Sequence, residues 1–181
     1  MRRTIVLAAL VAVGLVLVAT IEAPRRPTAQ EMVRGSRPFH VAPGAIRRIE
    51  VDLGRRFVAE RDGTGAWRLD GAVAPPAVRA ALDALAEEVA GLRAVDAFRP
   101  TSLAALGLDP PGGSIVVATA RGVERLDLGS LNAAGSTVYA RRQGHGRVLQ
   151  LGVYLLEVVR RVTDAAAAAA GTSRAYWPEI G

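Results

Sequence analysis

The chain has 181 residues, 50% of them hydrophobic, and it carries 23 basic against 17 acidic side chains. This length is enough for one domain with its own core but not for two full enzyme domains. Every basic side chain is an arginine, and there is no cysteine. The lack of cysteine excludes disulfides, thiol catalysis and cysteine-held zinc or iron–sulfur sites.

The excess of positive charge lies at the amino-terminal end of the chain. Residues 1–48 contain eight arginines and two acidic residues, whereas residues 49–181 contain fifteen of each. The net charge of +6 therefore belongs to the first part, and the rest has no net field that would attract a polyanion. We expect no nucleic acid among the partners of the folded part.

An uncharged apolar run over residues 4–21 predicts a membrane span. As a helix it would be about 27 Å long, close to the thickness of the hydrocarbon core. Arginines flank the run, and the very short amino-terminal tail favours export of the rest of the chain. We assign residues 1–22 to an uncleaved transmembrane anchor. A cleavable signal peptide is the alternative, but Ala23 followed by Pro24 makes a poor cleavage site.

Composition divides the remainder of the chain into three parts. Residues 23–44 are rich in proline and arginine, which predicts an extended linker. Residues 45–164 are predicted to form one α+β domain. Residues 165–181 begin with six alanines, which extend the last helix and then give way to a flexible tail.

Alternating apolar and polar residues predict three strands in the first half of the domain, over residues 45–53, 57–61 and 67–69. A helix follows from the proline pair at 75–76 to residue 92, because apolar residues recur there at three- and four-residue steps. A short extended return is predicted over residues 95–98.

The pattern starts again in the second half, with strands predicted at 115–117, 123–128, 138–141 and 148–151, a loop at 129–137, and a helix from 153. We therefore predict an α+β fold of antiparallel strand meanders, each closed by an amphipathic helix. We interpret the halves as a weak internal repeat, although small α+β domains also show such similarity by chance.

The sequence shows no grouping of catalytic, cofactor-binding or metal-binding residues. His40 and His145 have no carboxylate or second histidine at ligand spacing. Glu87 and Glu88 are adjacent on the predicted helix, point about 100° apart and would not share a proton. We expect no catalytic residue, no cofactor and no metal, and hence no enzyme.

Four aromatic residues are candidate contacts for a partner: Trp67, Tyr139, Tyr176 and Trp177. Trp67 and Tyr139 lie on predicted strands. Tyr176 and Trp177 lie in the predicted tail, where they could dock on a partner or at the membrane interface.

The segment Gly107-Leu108-Asp109-Pro110-Pro111 is the most distinctive motif of the chain. With the strands around it, the step at residues 126–129 and the run at 139–141, it resembles the bacterial family called domain of unknown function 4340, over roughly residues 44–163. The residues themselves favour a structural role. Pro110 keeps Asp109 out of the helical region, and neither proline donates a backbone hydrogen bond.

The resemblance implies a single-anchored envelope protein, often associated with ABC-type transport systems, and it transfers no enzymatic residue. We therefore expect a non-enzymatic, single-pass protein of the bacterial inner membrane with a periplasmic carboxy-terminal domain. Its expected role is that of a protein-interaction or accessory module of an ABC-type transport system. One alternative is a solute- or glycan-binding module with Trp67 or Tyr139 lining a groove. The other is an enzyme whose polar groups meet only after folding.

Overall fold

The structure is a computed structural model that describes residues 36–171. The predicted membrane span at 4–21, most of the predicted linker, and the tail with Tyr176 and Trp177 lie outside the described residues. Between residues 36 and 171, no helix is both long enough and apolar enough to cross a membrane.

The described fold is one antiparallel sheet of nine strands with two α-helices, which confirms the predicted α+β class. The strands are β1 Ile46–Asp52, β2 Arg56–Arg61, β3 Trp67–Leu69, β4 Ala72–Val73, β5 Ala94–Phe98, β6 Gly113–Thr119, β7 Gly122–Leu131, β8 Thr137–Arg142 and β9 Val148–Gly152. The helices are α1 Pro76–Gly91 and α2 Tyr154–Ala169. Short 3-10 turns cover Pro43–Ala45 and Ala104–Leu106.

Local sequence explains where these elements begin and turn. Alternation in β1 buries Ile49 and Val51 and leaves Glu50 half-buried on the other face. Asp62 forms the turn after β2, because its Oδ1 accepts hydrogen bonds from the Thr64 and Ala66 amides at 2.9 and 3.1 Å. The proline pair starts α1, since a proline in the first turn loses no helical hydrogen bond.

Each half of the domain contains four consecutive strands followed by a helix. The strands lie in the order β4-β3-β2-β1-β6-β7-β8-β9-β5, so the two meanders meet where β1 pairs antiparallel with β6. The helices pack against each other and against one face of the sheet. Buried residues of α1 have buried counterparts 77 positions later, in α2. The pairs are Val78 and Leu155, Leu82 and Val159, Leu85 and Val162, and Ala90 and Ala167.

Strand β4 was not predicted from the sequence, and two further features differ from the sequence-based predictions. The described part of the predicted linker packs against the domain. Phe39 is fully buried, and the Ser36 carbonyl accepts a hydrogen bond from the Ala94 amide at 2.9 Å. The packed domain therefore begins before residue 45. In addition, β7 continues to Leu131, so the loop predicted over 129–137 is shorter, because its first residues pair with β8.

Candidate functional site

Trp67 lies in the core and not on a groove. Its side chain is 2% exposed, and its Nε1–H donates a hydrogen bond to Asp83 Oδ1 at 2.8 Å. The guanidinium of Arg61 stacks 4.3 Å from the centre of the indole ring and also pairs with Asp83 at 3.1 Å. This arrangement ties β3 to α1, and it removes the support that Trp67 gave to a glycan-binding groove.

Tyr139 is half-buried on β8 and packs edge-on against Phe98 of β5, with the ring centres 6.1 Å apart. This contact spans β9, which lies between the two strands in the sheet. The ring therefore has a packing role that accounts for its position. The other two candidate partner contacts, Tyr176 and Trp177, lie outside the described residues.

The Gly107–Pro111 motif packs against β7. Gly107 adopts a left-handed conformation with φ of 65°, and a Cβ placed there would stand 2.9 Å from the Ser130 amide nitrogen. A Cβ on Gly129 would collide with the Leu106 carbonyl and stand 3.0 Å from Leu108 Cγ. The close approach therefore requires glycine on both sides of the contact.

The residues that follow Gly107 complete the packing of the motif against β7. Leu108 is 1% exposed, whereas Asp109, Pro110 and Pro111 are exposed, and the Asp109–Pro110 peptide bond is cis. The Gly112 amide donates to the Gly107 carbonyl at 3.1 Å. The motif and the 126–129 step, which together carried the resemblance, thus touch each other in the fold.

The face of the sheet opposite the helices, which we call the open face, carries paired charges. Glu50 of β1, Val116 of β6 and Arg125 of β7 are adjacent across the strands of this face. In the first half, Arg48 and Arg56 hold Glu50 at 3.0 and 2.8 Å.

The second half repeats this arrangement on the open face. Asp127 of β7 lies between Arg125 at 2.8 Å and Arg141 at 3.8 Å, and the residue is only 7% exposed. Both carboxylates are therefore flanked by two arginines. Hydrogen bonding by Arg48, with a further contribution from Arg56, holds the pKa of Glu50 below its usual range.

A basic cavity of about 270 Å³ lies where residues 36–40 meet the edge formed by β5 and β9. Its lining includes Ser36, Arg37, His40, Arg142, His145 and Arg147, and no acidic side chain. Arg142 pairs with Glu124 at 3.2 Å, whereas Arg37 and Arg147 have no ion pair within residues 36–171. The Ser36 hydroxyl is buried there without a hydrogen-bond partner among the described residues.

Sequence reasoning missed this cavity. His40 and His145 were interpreted as separate residues in a linker and a turn, but both line the cavity because residues 36–40 fold back onto β5. No local pattern could have predicted this, since the contact joins parts of the chain that are far apart in sequence. The prolines and arginines of residues 23–44 had favoured an extended linker instead.

The arginine and histidine side chains that line the cavity are suited to binding anions. Guanidinium and imidazole groups donate hydrogen bonds to phosphate or carboxylate oxygens. Within residues 36–171, no group of three or more His, Asp or Glu side chains could hold a metal ion.

Comparison with known proteins identifies the family. A family model described as "Domain of unknown function (DUF4340)" matches residues 67–167. This match covers more than half of the chain, so the protein belongs to the DUF4340 family, as the motif at 107–111 predicted. No curated protein and no solved structure matches the chain.

Proposed function

We propose that this DUF4340 protein is a non-enzymatic envelope protein, anchored in the bacterial inner membrane by residues 4–21. Its domain stands on the periplasmic side and binds a protein partner, a component of an ABC-type transport system. The apolar run at 4–21, with arginines on both sides, is the observation that carries the anchor. The association with transport systems comes from what membership of the family implies.

The open face supports binding of a protein partner. It extends over strands β2, β1, β6, β7 and β8, and its carboxylates Glu50 and Asp127 are already paired with arginines of the same face. A partner can cover such a surface without burying an unpaired charge, which would be costly. Val116 lies half-buried between the two charged clusters and offers an apolar contact at their centre.

Membrane extraction tests the anchor. We expect the full chain to stay in the membrane pellet under alkaline carbonate, and a chain lacking residues 4–21 to be released. Protease added to spheroplasts should digest the domain if it faces the periplasm. Release of the full chain by carbonate, or a domain protected in spheroplasts, would contradict the anchor or its orientation.

Capture from membranes solubilised in mild detergent tests the partner. We expect the tagged full chain to recover a permease or ATP-binding subunit, identified by mass spectrometry. Val116→Arg should abolish this recovery, because it places a charge at the centre of the open face. Ala80→Arg is the control, since Ala80 is exposed on α1, which lies on the other face of the sheet, and the substitution adds the same charge. Recovery of no transport component, or equal recovery by both variants, would reject the proposal.

The basic cavity favours a second candidate function, the binding of a small anionic solute. Trp67 no longer supports the solute-binding alternative, because it is buried. The basic cavity supports it for one class of ligand, namely solutes that carry phosphate or carboxylate groups. Arg37 and Arg147, which have no ion pair within the described residues, are the groups expected to hold the ligand. A charge-assisted hydrogen bond contributes about 1.5–3 kcal/mol, so the loss of one guanidinium should raise the dissociation constant at least about tenfold.

Titration of the full chain with inorganic phosphate tests this second candidate. Arg147→Gln should weaken binding about tenfold. Arg79→Gln is the control, since Arg79 is exposed on α1 and is not among the lining residues. The same affinity in both variants would show that the cavity does not select the anion.

A further inference from the structure

One end of the sheet gathers exposed arginines from separate parts of the chain. Strand β1 begins at this end, and the β6–β7 turn lies beside it because Ile46 pairs with Thr119. The antiparallel order places the β8–β9 turn at the same end. Four exposed arginines of this end have no ion pair within residues 36–171, namely Arg37, Arg47, Arg121 and Arg147.

Two cavities connect these arginines through His40. The basic cavity of about 270 Å³ is lined by Arg37, His40 and Arg147. A second cavity, of about 220 Å³, is lined by His40, Arg47 and Arg121. Among the described residues, neither lining contains an acidic side chain. The four arginines and His40 therefore form one surface, which we call the basic end.

The basic end differs in charge from the rest of the domain. Residues 49–181 contain fifteen arginines and fifteen acidic residues, so their net charge is zero. At the opposite end of the sheet, the β7–β8 turn over residues 132–136 has no charged residue, and the β1–β2 turn carries Arg55 close to Asp52. The fold, and not the composition, thus concentrates positive charge at one end.

The path of the chain connects the basic end to the predicted membrane span. The described domain begins at this end, because Ser36 and Arg37 both line the larger cavity. Fourteen residues, 22–35, separate Ser36 from the span at 4–21. A chain of that length reaches at most about 50 Å even when fully extended. The basic end is therefore the part of the domain that the span holds closest to the lipid.

We propose that the basic end binds the phosphate groups of anionic phospholipids in the membrane that holds the chain. This inference rests on the anchor of the proposed function. Guanidinium groups suit this ligand because they donate two parallel hydrogen bonds to one phosphate. Each arginine beside an anionic bilayer favours contact by about fivefold. The anion taken by the larger cavity is then a lipid head group and not a free solute.

This contact also orients the sheet. The basic end lies where strands begin and end, so the strands run away from the membrane surface and the open face looks along it. A partner embedded in the same membrane can then reach the open face from the side. The lipid contact and the partner contact thus use different surfaces of the domain.

Fluorescence quenching by lipid tests the proposal on the full chain in vesicles, and the absence of native cysteine allows a single label. One label goes on Ala120→Cys in the β6–β7 turn, at the basic end. The matched control is Ala134→Cys in the β7–β8 turn, since both alanines are exposed in turns at opposite ends of the sheet. The vesicles consist of phosphatidylcholine alone or of an equal mixture with phosphatidylglycerol, and some phosphatidylcholine carries a nitroxide on its head group.

In the mixed vesicles, we expect quenching at position 120 to exceed quenching at position 134 by about threefold or more, and phosphatidylcholine alone to remove this excess. Arg37→Gln with Arg147→Gln should remove it too, because the loss of two arginines weakens contact about 25-fold. Arg55→Gln with Arg79→Gln removes the same charge from exposed positions outside the basic end and should leave the excess unchanged.

The outcomes separate this proposal from the anchor on which it rests. Equal quenching at the two positions, in chains that float with the mixed vesicles, would overturn the lipid contact and leave the anchor intact. Binding of inorganic phosphate by these chains without the excess quenching would assign the arginines to a soluble anion and would overturn it as well. Chains that do not float with the vesicles would reject the anchor and the lipid contact together.

Discussion

The two halves of the domain share an arrangement of strands and helix but use different side chains to fix it. In the first half, Trp67 ties β3 to α1 through Asp83 and the stacked guanidinium of Arg61. At the corresponding buried position of β8, the second half has Val138, which makes no polar contact of this kind. The architecture therefore depends on the hydrophobic pattern that both halves share, whereas the contacts among Trp67, Asp83 and Arg61 stabilise the first half alone.

The largest expected effect comes from removing this cluster. Trp67→Ala should lower the free energy of unfolding by about 3–5 kcal/mol, because it leaves a large cavity and removes the indole hydrogen bond to Asp83. Val138→Ala, at the equivalent position, should cost about 2 kcal/mol, since only two methyl groups are lost. Denaturant unfolding of the two variants measures both. An equal loss would show that the indole cluster gives the first half no extra stability.

The contact of the motif with β7 belongs to the second half of the domain. Gly129→Ala should destabilise by about 1–3 kcal/mol, because its Cβ meets the Leu106 carbonyl, and backbone has to shift. Gly91→Ala is the control: it has open space at the end of α1 and should be neutral or stabilising by up to about 1 kcal/mol. Gly129→Ala as stable as the native chain would mean that the motif does not press on β7.

The cluster of Arg48, Glu50 and Arg56 on the open face of the first half can be tested by changing the pH. The lowered pKa of Glu50 means that its stabilising effect is present above the unfolded pKa and is lost as the pH falls through the folded pKa. Glu50→Gln should therefore cost about 1 kcal/mol at pH 7, and this difference should disappear in acid. Unfolding measured from pH 7 to pH 3 checks this. A difference that does not change with pH would assign it to packing and not to charge.

The smallest expected effect concerns the helix of the first half. Burial raises the pKa of Glu88, so its ionised form opposes folding above that pKa, and stability increases as the pH falls through it. Glu88→Gln should stabilise the chain at pH 7 by less than about 1 kcal/mol. Glu87→Gln, on the exposed neighbour, should change nothing. Destabilisation by Glu88→Gln at pH 7 would show that its charge is used in a favourable contact.

Sequence periodicity was enough to predict both helices and every described strand except β4, in their order. The alternation around Ile49 and Val51 located β1, and the proline pair with its three- and four-residue apolar steps located α1. The motif at 107–111 predicted the family. Short-range patterns of this kind report on the faces of single elements, which is why they succeeded.

Contacts between distant parts of the chain could not be predicted in this way. Phe39 reads as part of a proline-rich linker, yet it enters the core because residues 36–40 lie against β5. The pairing of β5 with β9, and the cavity shared by His40 and His145, depend on the same long-range packing. No periodicity in the sequence encodes which strand edge a returning segment will choose.

Hydrogen exchange in the two meanders tests most directly the claim that the two halves are equivalent. Amides that bond β1 to β2 and amides that bond β6 to β7 should be protected to a similar degree, because both meanders belong to one sheet with one core. Protection in one meander, with exchange at the unprotected rate in the other, would contradict the account.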